Sequence, residues 1–107
     1  MREDKLLSSL ALCRKAGALA IGFDASLRAL AKGARICVAA ADISPRTLKK
    51  FNEQRANYGK LLPLARTQDE IEYTVGRRFA LAAVCDDKLA ALVERCAEQD
   101  ELGGCDI

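Results

Sequence analysis

Histidine and tryptophan are both missing from the 107 residues, and only three Phe and two Tyr supply aromatic rings. Without histidine, Ser-His-Asp and Cys-His catalysis are excluded, as is any metal site that needs an imidazole. So few rings argue against a surface that holds single strands by stacking their bases. No apolar run approaches the ~20 residues of a bilayer-spanning helix. The five cysteines, Cys13, Cys37, Cys85, Cys96 and Cys105, include no pair at C-x-x-C spacing, so a zinc or dithiol motif is not indicated. Odd in number and widely spread, they read as reduced thiols of a cytoplasmic protein, with Cys37 and Cys85 as core residues of strands. The opening MREDKLL mixes acid and base and lacks a signal-peptide pattern.

What is present points to one α/β domain over residues 1–107. Half of the residues are apolar, enough for a real core. Leu6, Leu7, Leu10 and Cys13 share a helical face, which predicts a helix over 3–16 with Gly17 past its end. Leu19 to Ile21 reads as a short strand. Asp24 is expected to cap a helix that runs to Lys32, with Leu27 and Leu30 inward and Gly33 as the stop. Arg35 to Ala41 reads as a central strand covered on both faces. Ser44 and Pro45 open a helix to about residue 57. A strand around 61–65 follows, then a short helix with the Thr67–Glu70 capping box. Phe79 to Cys85 reads as the fourth strand, and Asp86 caps the last helix. The acidic tail 98–107 is expected to fray. This αβαβαβαβα order predicts a three-layer α/β/α sandwich, a four-stranded mixed sheet with helices on both faces.

Charge is divided along the chain. Residues 1–66 hold 13 Lys/Arg against 5 Asp/Glu, and residues 67–107 hold 4 against 10. A basic part this strong suits a polyanionic partner.

Four places could carry chemistry. Gly22 opens a helix whose first amides are free to meet an anion, and Arg28 stands about one turn further on. Ordinary βα turns look the same, so the glycine alone is a weak sign. Gly76-Arg77-Arg78-Phe79 is a basic loop in an acidic half. Arginine forks suit phosphate or a guanine edge. Asp42 and Asp86-Asp87 follow strands, where carboxylates can hold magnesium for phosphotransfer, although turn and cap roles already account for them. Arg46, Lys49 and Lys50 form a charged helix face, either simply solvated or gripping phosphates without sequence preference.

The chain resembles the kink-turn RNA-binding ribosomal protein family, of the L-seven-Ae / L-thirty-e type, most closely its bacterial YlxQ-like members. The likeness covers about residues 5–96. It is carried by Lys15-Ala16-Gly17, by Gly22 heading a helix, and by Lys32-Gly33-Ala34 leading into a strand. Ala40-Ala41-Asp42-Ile43-Ser44-Pro45 matches an A-x-D-x-x-P turn, and Val75-Gly76 precedes the last loop. The resemblance implies the same sandwich fold and a non-enzymatic protein that binds structured RNA. The expected target is a kink-turn or similar bent internal loop, in ribosomal RNA or on the ribosome.

On this sequence the implied RNA-binding residues are Lys15, Gly22, Phe23, Asp24, Ala25 and Arg28, with Gly76, Arg77, Arg78 and Phe79. Lys15 and Arg28 would neutralise phosphates, Arg77 and Arg78 would reach into the bent groove, and the amides after Gly22 would hold sheared purines. No catalytic residue, metal or cofactor is expected, and neither a membrane nor DNA is an expected partner. The sequence departs from the strongest kink-turn readers at Asp24-Ala25, where they carry Asn-Glu, and at Ile71-Glu72, where they carry Leu-Gly. A carboxylate at Asp24 accepts hydrogen bonds but donates none. The alternative is a protein-interaction module on the same fold, docking through its acidic face.

Overall fold

The computed structural model describes residues 4–103, the last four by backbone alone. Five helices alternate with four strands: α1 (Lys5–Lys15), β1 (Leu19–Ile21), α2 (Phe23–Ala31), β2 (Ile36–Ala39), α3 (Pro45–Arg55), β3 (Lys60–Pro63), α4 (Gln68–Val75), β4 (Leu81–Val84) and α5 (Asp87–Gly103). The strands form one sheet in the order β1-β4-β2-β3. β4 runs antiparallel to both neighbours, and β2 pairs with β3 in parallel. The mixed sheet and the α/β/α layering follow the sequence pattern.

Alternation along the two inner strands separates two cores. Ile36, Val38, Ala82 and Val84 point to one side, where Leu6, Leu10 and Cys13 of α1, Ile71 and Val75 of α4, and Val93 of α5 pack. Cys37, Ala39, Leu81 and Ala83 point to the other, where Leu30 of α2 and Phe51 of α3 pack. Successive strand residues face opposite ways, so strands covered on both sides must be apolar throughout. Each fully buried Leu, Ile, Val or Phe contributes ~1.5–3 kcal/mol by leaving water. Both parallel crossovers, β1–α2–β2 and β2–α3–β3, travel in the same direction across the sheet. Their helices therefore lie on the same face.

Several ends were set by short-range chemistry. Asp4 caps α1, its carboxylate accepting from the Leu7 amide at 3.1 Å. The capping box at Thr67 and Glu70 is fully made. Asp86 accepts from the amides of Lys88 and Leu89.

Other expectations need correction. The residue that caps α2 is Gly22, not Asp24, which lies inside the first turn. Ser44 stands at the cap of α3 but makes no side-chain bond there. β4 starts at Leu81 rather than Phe79 and ends at Val84, so Cys85 is exposed rather than a core residue of the strand. α5 extends past Glu98 to Gly103. Residues 104–107, with Cys105 and the end of the acidic tail, lie outside the described residues. The described cysteines, Cys13, Cys37, Cys85 and Cys96, are free thiols. No helix among the described residues is long and apolar enough to cross a membrane.

Candidate nucleic-acid interface

β1, β2 and β3 are parallel to one another and all finish at one end of the sheet, where the antiparallel β4 begins. Four connections therefore meet there: the Gly22 corner, the turn from Ala40 to Ser44, the segment after β3, and the loop 76–80. Hydrogen bonds tie them. The Gly22 amide donates to the Leu81 carbonyl at 2.8 Å, the Ala40 amide to the Ala80 carbonyl at 2.9 Å, and the Ala41 amide to the Arg66 carbonyl at 2.7 Å. Asp42 accepts from the Gln68 amide at 3.0 Å. The two loops expected to share a site are thus joined, although Gly22 and Leu81 are far apart in the chain.

The corner itself is open. Gly22 has φ +110° and ψ 167°, a conformation that L side chains rarely adopt. A Cβ built there would meet nothing within 4 Å. The glycine is required by the backbone path, and the space beside it is not filled by the chain's own side chains. α2 has no side-chain cap, and its first internal bond is made by the Ser26 amide to the Gly22 carbonyl. The amides of Phe23, Asp24 and Ala25 precede that bond and form the positive end of the helix. Ser26 is buried, and its hydroxyl donates to the Ala20 carbonyl at 3.3 Å, fixing the helix on β1. Phe23, half-buried, meets the Phe51 ring edge-on at 5.3 Å. Its side chain anchors the corner from within, while Asp24 and Arg28 are exposed.

The loop residues have different fates. Arg77 is exposed and makes no ion pair among the described residues. Arg78 is exposed but tethered: its guanidinium donates to Asp69 and lies 3.6 Å from Glu72. The Asp69 hydrogen bond, aided by the charges of both carboxylates, raises its pKa. Arg78 is thereby drawn towards α4, on the face of the sheet opposite α2. Phe79 is buried in the first core, so its side chain holds the loop down and is not available to a surface ligand.

Lys15 is exposed, at the end of α1. It does not stand at the Gly22 corner. The Ala18 carbonyl accepts from Cys85 at the far end of the β1–β4 ladder, which puts Lys15 beyond the ~10 Å length of a three-residue strand. Its neighbour Arg14 does reach the loop. A Cβ on Gly76 would lie 3.3 Å from an Arg14 guanidinium nitrogen. Arg14 carries no sequence signal for this contact, because a helix-ending arginine satisfies the dipole wherever its side chain goes.

The magnesium arrangement fails on topology. Asp42 follows β2 at one end of the sheet, and Asp86 follows β4 at the other. A four-residue strand separates them by ~13 Å, too far for one ion. Among the described residues no group of three or more His, Cys, Asp or Glu could hold a metal.

No protein-family model matches the sequence, and no curated protein matches it. Solved structures do match. A Bacillus halodurans protein described as of unknown function aligns with 86% of this chain and 99% of its own, at 24% identity and TM-score 0.73. The Giardia lamblia 15.5kD RNA binding protein aligns with 95% of this chain and 92% of its own, at 15% identity and TM-score 0.71. The chain shares the fold of these proteins over nearly its whole described length.

Proposed function

We propose that this is a non-enzymatic RNA-binding protein of the kink-turn type, a YlxQ-like member of the ribosomal family it resembles. The observation that carries the reading is the open Gly22 corner, joined through Leu81 to a loop that bears an unpaired arginine. Free amides at the start of α2 would receive the edges of sheared purines, and Arg28 and Arg77 would neutralise the backbone on either side. Arg14 extends the basic surface along the loop at Gly76. The likeness in fold to a Giardia RNA-binding protein supports RNA as the partner. Ribosomal RNA in the cytoplasm is the proposed source of the bent loop.

A gel-shift titration of a G·A-containing kink-turn against a straight duplex of equal length tests this. Preferential binding of the kink-turn is expected, with a log–log salt slope of about −2 to −3 for three neutralised phosphates. Arg28→Ala and Arg77→Ala should each weaken it severalfold. Equal and negligible binding of both RNAs at low salt would overturn the reading.

One observation favours a protein-interaction module instead. The tether on Arg78 pulls one of the two loop arginines away from the corner. If that module is correct, the kink-turn shows no preference, and charge reversal on α4 disturbs a protein complex.

A further inference from the structure

We infer that α3 carries a second RNA contact, in which Arg46, Lys49 and Lys50 hold the phosphates of a helical arm continuing from the bent loop. The inference rests on the RNA-binding reading above and extends it to a surface outside the Gly22 corner.

Position comes first. Phe23, the first residue of α2, packs edge-on against Phe51 of α3 at 5.3 Å, with ring planes 78° apart. That contact fixes α3 directly beside the opening of α2. Both helices lie on one face of the sheet. Pro45 starts α3 just after the Ala40–Ser44 turn, and the strand before that turn pairs Ala39 with Leu81, the residue that also receives the Gly22 amide. An RNA seated at the corner must leave it along a surface, and α3 is one of the surfaces bordering the exit.

Charge comes second. Arg46, Lys49 and Lys50 sit at i, i+3 and i+4, the spacing that puts side chains on one helical face. All three are exposed, and none forms an ion pair among the described residues. The opposite side of the helix is pinned inward by Phe51 and Leu48. A shallow recess lined by Pro45, Leu48, Lys49, Asn52 and Glu53 lies beside the ridge. Asn52 is held there by Arg55, whose guanidinium donates to its Oδ1 at 3.0 and 3.2 Å. The Glu53 carboxylate at the recess repels phosphate and marks the limit of the contact. The acids of the second half of the chain do not cancel this field. Asp69, Glu70 and Glu72 belong to α4, on the opposite face of the sheet, and screening beyond ~8 Å in physiological salt separates the two layers.

The experiment compares two forms of the same bent-loop RNA, one with minimal stems and one with a ten-base-pair arm, built on either side in turn. Wild-type protein is expected to bind one arm-extended form about tenfold more tightly than the minimal RNA, with a salt slope steeper by about 2–3. The triple variant Arg46→Ala, Lys49→Ala, Lys50→Ala should lose that gain while keeping its affinity for the minimal RNA within about twofold. An unchanged melting temperature confirms that the variant is folded. The inference is overturned if the triple variant retains the gain, or if the wild type gains nothing from either arm. Wild-type protein that binds neither form would instead sink the RNA-binding reading, and this inference with it.

Discussion

The amide of Gly22 donates to the carbonyl of Leu81 at 2.8 Å. That bond continues the antiparallel pairing of β1 with β4 by one step, to the point where α2 starts and the loop 76–80 ends, so that two basic segments become neighbours. Without that strand pairing, a glycine turn and a pair of arginines would be two unrelated surface features.

Gly22→Ala should destabilise the fold by ~1–3 kcal/mol, the usual range for a non-glycine residue held in such a region. The penalty is torsional, because the added Cβ touches nothing. Thermal or urea unfolding measures it, and a stability within error of wild type would show that the corner relaxes freely. RNA affinity should fall by more than the stability loss explains, since the amides after position 22 would be re-aimed.

Releasing Arg78 should strengthen RNA binding. In the double variant Asp69→Asn, Glu72→Gln the guanidinium loses both partners and can join Arg77. Affinity is expected to rise severalfold, and the log–log salt slope to steepen by about 1 for one added phosphate contact. A weaker complex would mean that the carboxylates hold Arg78 where the RNA needs it.

Asp4 and Arg66, 62 residues apart, pair at 2.7 Å and clamp the start of α1 to the segment after β3. Burial pushes the Asp4 carboxyl up, but the Arg66 hydrogen bond, the Leu7 amide and the Arg66 charge outweigh it and hold its pKa below the ordinary value. A lowered carboxylate pKa gives stability that is complete above the unfolded-state value of about 3.9 and is lost as pH falls through the folded one. Asp4→Asn keeps a good N-cap and removes the charge, so it should be less stable than wild type at pH 7 and indistinguishable at the acid limit. Asp4→Ala also loses the cap, and should cost roughly 1 kcal/mol more at every pH. Melting curves between pH 2 and 7 provide the check.

Thiol reactivity should follow burial. Cys13 and Cys37 are buried, and desolvation pushes each thiol up to about 11. Little thiolate is then present at pH 8. Among the described cysteines, exposed Cys85 should be alkylated first, Cys96 more slowly, and Cys13 and Cys37 only as the protein unfolds. Peptide mass mapping over time resolves each site. Early labelling of Cys37 would mean that the core under α2 and α3 opens readily.

The alternation of helix and strand, the two-sided burial of β2 and β4, the Thr67–Glu70 box and the Asp86 cap could all be read from neighbouring residues. They are set within one helical turn or one strand, where spacing and capping chemistry act directly. Gly22 marks a helix start in the sequence, but that the space beside it stays open is a result of packing. Local signals mislead wherever a distant partner intervenes. Asp24 has a side chain that suits a cap, but the helix begins two residues earlier at Gly22, whose carbonyl accepts the first internal bond from the Ser26 amide. The resemblance puts Phe79 among the RNA-binding loop residues, but the packing of α1, α4 and α5 buries it. Cys85 looked like core until β4 ended one residue short of it. Which strands are neighbours, that Arg78 answers to α4 and Arg14 to Gly76, and that α3 leans on the mouth of α2 through two phenylalanines were settled only when the chain packed. Those contacts join residues far apart in the chain, and no local propensity encodes the partner.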